Sequence, residues 1–502
     1  MMSTGEAVPA LSELAGSGIE GLDDVLIGGF QRNRLYLVEG EPGTGKTTLA
    51  LQFLIEGAKH NEKCLYITLA ETEDELRTGA ASHGWDLGGI DIFELLPPES
   101  LLDEKQQQSL LYSSDLELGE TTRLAFEAIE RISPARVVFD SLSEIRLLAQ
   151  SSLRYRRQLL ALKHYFARHG ATVLFLDDLT AEATERTVHS IAHGVIHLKE
   201  VAPEYGAERR RLRVVKCRSQ AFRGGFHDVV VARGGLQVFP RLVASEHHRN
   251  FGRERLQSGI AELDTLLGGG LERGSSALIL GPSGAGKSLL TLQFLKQAVS
   301  RGERAAMFAF DEDIGLLTAR AVHLGIDLKG MQESGALTLM QVDSAELSPG
   351  EFAHKVRNCV EEHQALTIVI DSLNGYQMAM PDENFLLLHM HELLMYLNRR
   401  GISTFLTVAQ HGLVGDMRSP VDVTYLSDTV LLLRFFEAHG RMLRALSVIK
   451  KRTGNHEDTI RELRITGLGI QVGAPLTGFQ GVMRGVPIYT GSRTPPTSLQ
   501  DE

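Results

Sequence analysis

The sequence predicts an α/β protein in which one fold is used twice in tandem, each copy a mainly parallel sheet flanked by helices. Three observations lead there. The chain repeats itself at a constant offset, short β-rich runs alternate with longer amphipathic stretches, and each copy places a glycine-rich loop between a strand and a helix.

The repeat comes first. Ser17-Gly18-Ile19-Glu20-Gly21-Leu22-Asp23 recurs 241 residues later as Ser258-Gly259-Ile260-Ala261-Glu262-Leu263-Asp264. The loop from Gly40 to Thr47 recurs from Gly281 to Ser288 at the same offset, and His83-Gly84-Trp85-Asp86-Leu87 is echoed by Leu324-Gly325-Ile326-Asp327-Leu328. A register kept over this distance reads as a duplicated domain. We therefore expect domains over residues 1–245 and 246–489, joined through the His-, Arg- and Glu-rich stretch 244–255, with a disordered Pro-, Ser- and Thr-rich tail over residues 490–502.

Within the first copy, residues 35–38, 64–69, 137–139 and 171–176 read as buried parallel strands, and 47–59 and 120–131 as helices. Alternation of this kind calls for helices on both faces of the sheet. Residues 212–216 and 445–450 read as antiparallel strands added at the sheet edge.

Composition narrows the function. The 502 residues carry a formal net charge of −11, which argues against a general affinity for nucleic acid or anionic membrane. Cys64, Cys217 and Cys359 are far apart and form no metal- or disulfide-type pair, as in a reducing compartment. With no apolar run long enough for a bilayer and no signal-like start, the expected location is the cytoplasm.

Gly40-Glu41-Pro42-Gly43-Thr44-Gly45-Lys46-Thr47 and Gly281-Pro282-Ser283-Gly284-Ala285-Gly286-Lys287-Ser288 both fit the P-loop pattern in its strand–loop–helix setting. Such a loop must curl its N–H groups around phosphates, which requires glycine, and the helix N-terminus adds a field that favours anions. The expected ATP-binding residues are Gly40, Gly43, Thr44, Gly45, Lys46, Thr47 and Thr48, and Gly281, Gly284, Ala285, Gly286, Lys287, Ser288 and Leu289. Lys46 and Lys287 should reach the β- and γ-phosphates; Thr47 and Ser288 should offer hydroxyls to Mg²⁺. Asp140 and Asp371 end apolar runs 94 and 84 residues after those lysines, and are the expected carboxylate partners of Mg²⁺. Glu71 and Glu312 follow the second strand of each copy, where a carboxylate could orient or deprotonate the attacking group. The fold class is thus two tandem RecA-like P-loop NTPase domains.

With these residues in hand, the sequence resembles the KaiC family of ATPases from about Ser17 to Tyr489. The Ser-Gly-Ile opening, both P-loops, the His-Gly-Trp-Asp-Leu segment and the Asp-Ser pair after each acidic strand carry the resemblance. It implies a hexameric ring with ATP held between subunits, and it casts Lys216 and Arg218, and Lys450 and Arg452, as groups that reach the γ-phosphate of the adjacent subunit. The family's usual pair of glutamates after the second strand is Ala70-Glu71 here and Asp311-Glu312 in the second copy. The first of each pair is the usual general base. Asp311 keeps the charge and Ala70 cannot act as a base, which puts hydrolysis in the first domain in question. Clock members phosphorylate adjacent Ser and Thr residues in their second domain; the matching positions here are Thr424 and Tyr425, which leaves Thr424 as the candidate acceptor, with Ser419 and Ser427 near it. The long tail that recruits an activator in clock members has no counterpart, so signalling or clock-like regulation through protein partners are both compatible.

Two other functions fit parts of the sequence. A DNA-dependent RecA-like motor would use a basic loop such as Arg154, Arg156 and Arg157, but these residues also fit the polar face of a helix with Leu159, Leu160 and Leu162. A nucleotide-gated scaffold would hold ATP without turning it over, which Ala70 favours in the first domain.

Overall fold

The computed structural model describes residues 14–95, 110–179, 187–202, 206–379, 383–410, 424–438, 440–467, 469–484 and 487–490. The expected tail lies outside these residues, apart from Thr490. The chain divides into two compact units, residues 1–241 and 242–502.

Each unit is built on a nine-stranded sheet. In the first, the spatial order is Ile90–Glu94, Cys64–Thr68, Arg136–Asp140, Thr172–Asp178, Leu35–Gly40, Gly194–Val201, Arg209–Cys217, His227–Ala232 and Gly235–Phe239. The first six run parallel and the last three continue antiparallel. The second unit repeats this order with Leu337–Gln341, Arg304–Ala309, Ala365–Asp371, Ser403–Ala409, Ser276–Gly281, Thr429–Ala438, Arg441–Lys451, Arg461–Thr466 and Gly469–Pro475.

The strand before each P-loop lies between two strands that come much later in the chain, so the strand order reverses there and leaves a crevice at the carboxyl ends. All six residues of Leu35–Gly40 are buried, because helices cover both faces and the run has to be apolar on both. One face carries Tyr36, Val38, Tyr66 and Val138; the other carries Leu35, Leu37, Val137 and Phe139.

The strands expected over 212–216 and 445–450 are antiparallel, but they are not at the edge. Each is third from it, because the hairpins 227–239 and 461–475 extend the sheet beyond them. The stretch 244–255 is also ordered. Ala244 is buried in the second unit's core, its N–H donates to Glu392, and Phe251 covers Gly274 and Gly401. The repeated Ser-Gly-Ile segment has a structural job: the N–H of Ser17 donates to Asp23 at 2.9 Å and that of Ser258 to Asp264 at 2.7 Å, which locks the turn into the first short helix. Arg154, Arg156 and Arg157 are exposed on helix Ser152–Arg168, opposite buried Tyr155, Leu159 and Leu162. No described helix is long and apolar enough to cross a membrane.

Candidate functional site

The P-loops occupy the crevices. Gly43 and Gly45 have φ of 84° and 97°, and Gly284 and Gly286 have φ of 77° and 103°, in the left-handed region that glycine alone adopts without strain. Gly40 is needed for space, since a Cβ there would sit 2.6 Å from the carbonyl oxygen of Leu198. Helices Lys46–Lys59 and Lys287–Ser300 start at the two lysines, so their first N–H groups face the loop.

Both lysines fold back over the loop. The ammonium of Lys46 donates to the carbonyls of Gly40 and Glu41, each at 2.9 Å; that of Lys287 donates to Gly281 at 3.0 Å and Pro282 at 2.9 Å. Both side chains are about nine-tenths buried. Burial pushes the Lys287 ammonium below its usual range against the pull of Asp371 and Asp311.

In the first site Asp140 accepts a hydrogen bond from Tyr66 at 2.6 Å. Burial raises the Asp140 carboxyl, Asp178 adds to the rise, and the Tyr66 bond and Lys46 oppose it. In the second site Met307 stands at the position of Tyr66, and Asp371 accepts instead from Thr407. Ser288 and Asp371 line the same cavity of about 650 Å³, together with Gly286, Lys287, Asp311 and Glu312. Among the described residues no group of three or more His, Cys, Asp or Glu side chains could hold a metal alone. A hydroxyl and a carboxylate that leave further positions to phosphate and water fit Mg²⁺, which binds proteins through few ligands.

The acidic groups after the second strand reach the same crevices. Burial raises the Glu71 carboxyl, and Asp140, Glu75 and Asp178 raise it further. Burial also raises Glu312, although Arg320, 2.7 Å away, opposes the shift. Asp311 accepts a hydrogen bond from Ser372.

One residue of the first site escaped the sequence reading. Asp178, at the end of strand Thr172–Asp178, lies 2.7 Å from the Lys46 ammonium and pairs in register with Gly40. Its counterpart beside Gly281 is Ala409. The two sites have thus exchanged a carboxylate: Ala70 and Asp178 in the first, Asp311 and Ala409 in the second. The only sequence signal was the Asp177-Asp178 pair closing an apolar run.

A second group was also missed. Glu39, buried just before Gly40, accepts from His189 at 2.7 Å and lies 3.4 Å from His197. Burial alone would raise its carboxyl, but the hydrogen bonds and charges of the two histidines outweigh burial and hold it down at about 2. Asp177 flanks Glu39 in register and is bound by Arg146 at 2.5 Å and Ser143 at 3.0 Å.

The Lys-x-Arg elements do not join their own P-loops. Lys216 faces Val195 at the start of its sheet neighbour, whereas Gly40 faces Leu198. Three residues along a strand put Lys216 roughly 10 Å below the P-loop end. Lys216 donates to the carbonyl of His189, and Arg218 to that of Ser190 at 2.8 Å. The second domain repeats the arrangement, with Lys450 on the carbonyls of Thr424 at 2.9 Å and Ser427 at 2.8 Å, and Arg452 on that of Tyr425 at 2.7 Å. Thr424 opens the short turn Thr424–Leu426 at that same end, and Tyr425 is exposed. Ser427 is fully buried, which removes it as an acceptor; Ser419 lies outside the described residues.

Comparison with known proteins agrees with this geometry. The family model described as "ATPase: KaiC" matches residues 15–243 and again 256–477. The chain is 27% identical over 486 residues to the circadian clock protein KaiC3 of Synechocystis, covering 94% of each chain. It is 27% identical to the circadian clock oscillator protein KaiC of Acaryochloris marina, over 93% of this chain and 90% of that one. To the KaiC of Prochlorococcus marinus it is 29% identical, over 94% and 93%. With both repeats matched and both P-loops folded as such, the chain belongs to the KaiC family of ATPases.

Proposed function

We propose that this chain binds and hydrolyses ATP with Mg²⁺ as a ring of identical subunits, a hexamer by family likeness, in which each site is completed by the neighbour. The observation that supports this is the position of Lys216, Arg218, Lys450 and Arg452, held at the opposite end of the sheet from their own P-loops. Cations so placed serve another subunit's γ-phosphate, where they stabilise charge that develops as the phosphoryl group transfers.

Within a site, Lys46 or Lys287 and the loop N–H groups bind the phosphate chain. Thr47 with Asp140, and Ser288 with Asp371, would hold Mg²⁺, which when bound would supply charge neutralisation at the phosphates. Glu71 in the first site and Asp311 or Glu312 in the second orient the attacking water and take its proton as the new P–O bond forms and ADP departs. The raised Glu71 carboxyl suits that exchange and supports hydrolysis in the first domain despite Ala70.

A Ser/Thr autokinase activity in the second domain is the finer part of this reading. Thr424 lies beside Lys450 at the end that would meet a neighbour's nucleotide, so its hydroxyl would receive the phosphoryl group in trans. Signalling or clock-like regulation is the setting proposed, by likeness to relatives named for the circadian clock. Native mass spectrometry with and without Mg·ATP tests the ring, and a chain that stays monomeric at all concentrations contradicts it. Intact mass after the same incubation tests the kinase: a gain of phosphoryl groups that Thr424→Ala removes supports it, and an unchanged mass refutes it.

A further inference from the structure

We infer that the cavity at the amino-terminal end of the first domain's sheet is a binding site for a phosphate group. The cavity holds about 300 Å³ and is lined by Arg34, Lys163, His193 and Arg218 against Phe166 and Leu35. Four basic side chains converge there, and no carboxylate is among the described lining residues. The Nε2 atom of His193 is buried with no hydrogen-bond partner. Burial, then the charges of Arg34, Arg218 and Lys163, push its imidazole down to about 4, and burial with Arg218 and Arg34 lowers the Lys163 ammonium as well. Arg34 and Arg218 reach solvent while Lys163 and His193 are half-buried; like charges brought this close repel one another, and an anion among them relieves that repulsion.

The second domain shows what belongs there. Strand register places Asp428 at the position of His193 and Ser275 at that of Arg34. The paired helices Ser152–Arg168 and Glu383–Arg399 place Leu394 at that of Lys163. The Asp428 carboxylate accepts from the N–H of Ser276 at 3.0 Å and its hydroxyl at 3.2 Å, and lies 3.6 Å from Arg452. The second domain supplies its own anion beside its arginine, whereas the first replaces that anion with a histidine and adds two cations. Two guanidinium groups with an ammonium suit the several oxygens of a phosphate better than a single carboxylate.

The phosphate can come from two sources: the γ-phosphate of a neighbouring subunit's nucleotide, or free orthophosphate left by hydrolysis. The first rests on the shared-site reading above; the second does not. The full-length Lys46→Ala/Lys287→Ala variant, whose P-loops have lost their phosphate-binding lysines, is dialysed against radiolabelled orthophosphate. Free orthophosphate as the ligand gives saturable binding near one per chain. Adding Lys163→Leu or Arg34→Ser, the residues of the second domain, weakens it by about tenfold or more, and Lys163→Arg retains it. Circular dichroism verifies that each variant is folded. In the second arm, first-domain hydrolysis is read in the Lys287→Ala chain. If orthophosphate does not bind but Lys163→Leu slows that hydrolysis by about tenfold with ATP affinity kept, the ligand is the neighbour's nucleotide. If neither effect is seen, the site does not exist. A chain that fails to assemble defeats the ring while leaving the orthophosphate arm to decide this proposal.

Discussion

The two domains follow one backbone plan down to strand order, and each holds its P-loop lysine with the same pair of carbonyls. The ionisable groups around those lysines are arranged differently. In the first domain Asp178 stands 2.7 Å from Lys46 while Ala70 leaves the second-strand position without a carboxylate; in the second domain Asp311 fills that position and Ala409 replaces Asp178. Along the covered face beside the P-loop, the first domain carries His197, Glu39 and Asp177 where the second carries Leu432, Leu280 and Val408. The fold fixes where an acid can approach the phosphate, and more than one strand can deliver it. In the first domain an incoming γ-phosphate meets a lysine already paired with a carboxylate; Lys287 has no such ion pair among the described residues.

The largest expected effect concerns what the domains share. In a Lys287→Ala background, Arg218→Ala should lower first-domain hydrolysis by about 10³-fold while ATP binding changes little, as for a cation that acts on the transferring phosphoryl group. The matching Arg452→Ala in a Lys46→Ala background should do the same for the second domain. Steady-state phosphate release and nucleotide-binding titrations separate the two effects.

Next comes stability. Glu39→Leu alone should destabilise the first domain by about 1–2 kcal/mol, since it leaves the half-buried His189 and His197 without their shared acceptor. The triple change Glu39→Leu/Asp177→Val/His197→Leu, made in an Arg146→Gln background so that the guanidinium is not left without Asp177, follows the second domain and should recover much of that loss. Denaturant unfolding of the variants checks both, and a triple variant less stable than the single one would show the row is required by the fold.

Asp178→Ala should tighten ATP binding by the first domain by about tenfold, because it removes an anion that competes for Lys46. Ala409→Asp should weaken the second domain in the opposite direction. Unchanged affinity in both would mean that Asp178 gives way to the nucleotide at no cost.

The smallest effect is on pH dependence. A general base works deprotonated, so a raised carboxyl moves the acid limb of the rate profile upward. Asp178 is one of the charges that raise Glu71, and Asp178→Ala should shift the first domain's acid limb to lower pH.

How much was legible follows from the range of each signal. The P-loops obey a local rule of glycine spacing, and Gly43, Gly45, Gly284 and Gly286 have the positive φ that rule requires. The repeat and the parallel sheet follow from offset and alternation. Asp178 and Glu39 depend on cross-strand register, which is not local. The offset between the domains is 241 at the P-loops, falls to 231 between Asp140 and Asp371, and is 235 between Gly194 and Thr429. No single shift aligns Asp178 with Ala409 and His193 with Asp428, so the exchanged carboxylate and the basic cavity become visible only in three dimensions. The Lys-x-Arg elements were placed by family resemblance; the strand register sets them about three residues along the sheet from their own P-loops.

The most direct test of a site shared between subunits is complementation. In a Lys287→Ala background, subunits with Lys46→Ala and subunits with Arg218→Ala are each assayed alone, then mixed in equal amounts and allowed to exchange. A shared site predicts two inactive proteins whose mixture recovers about a quarter of the first domain's activity, the share of interfaces with an intact P-loop on one side and an intact arginine on the other in a closed ring. A mixture that stays inactive after exchange is demonstrated would contradict the account and place Arg218 in the service of its own subunit.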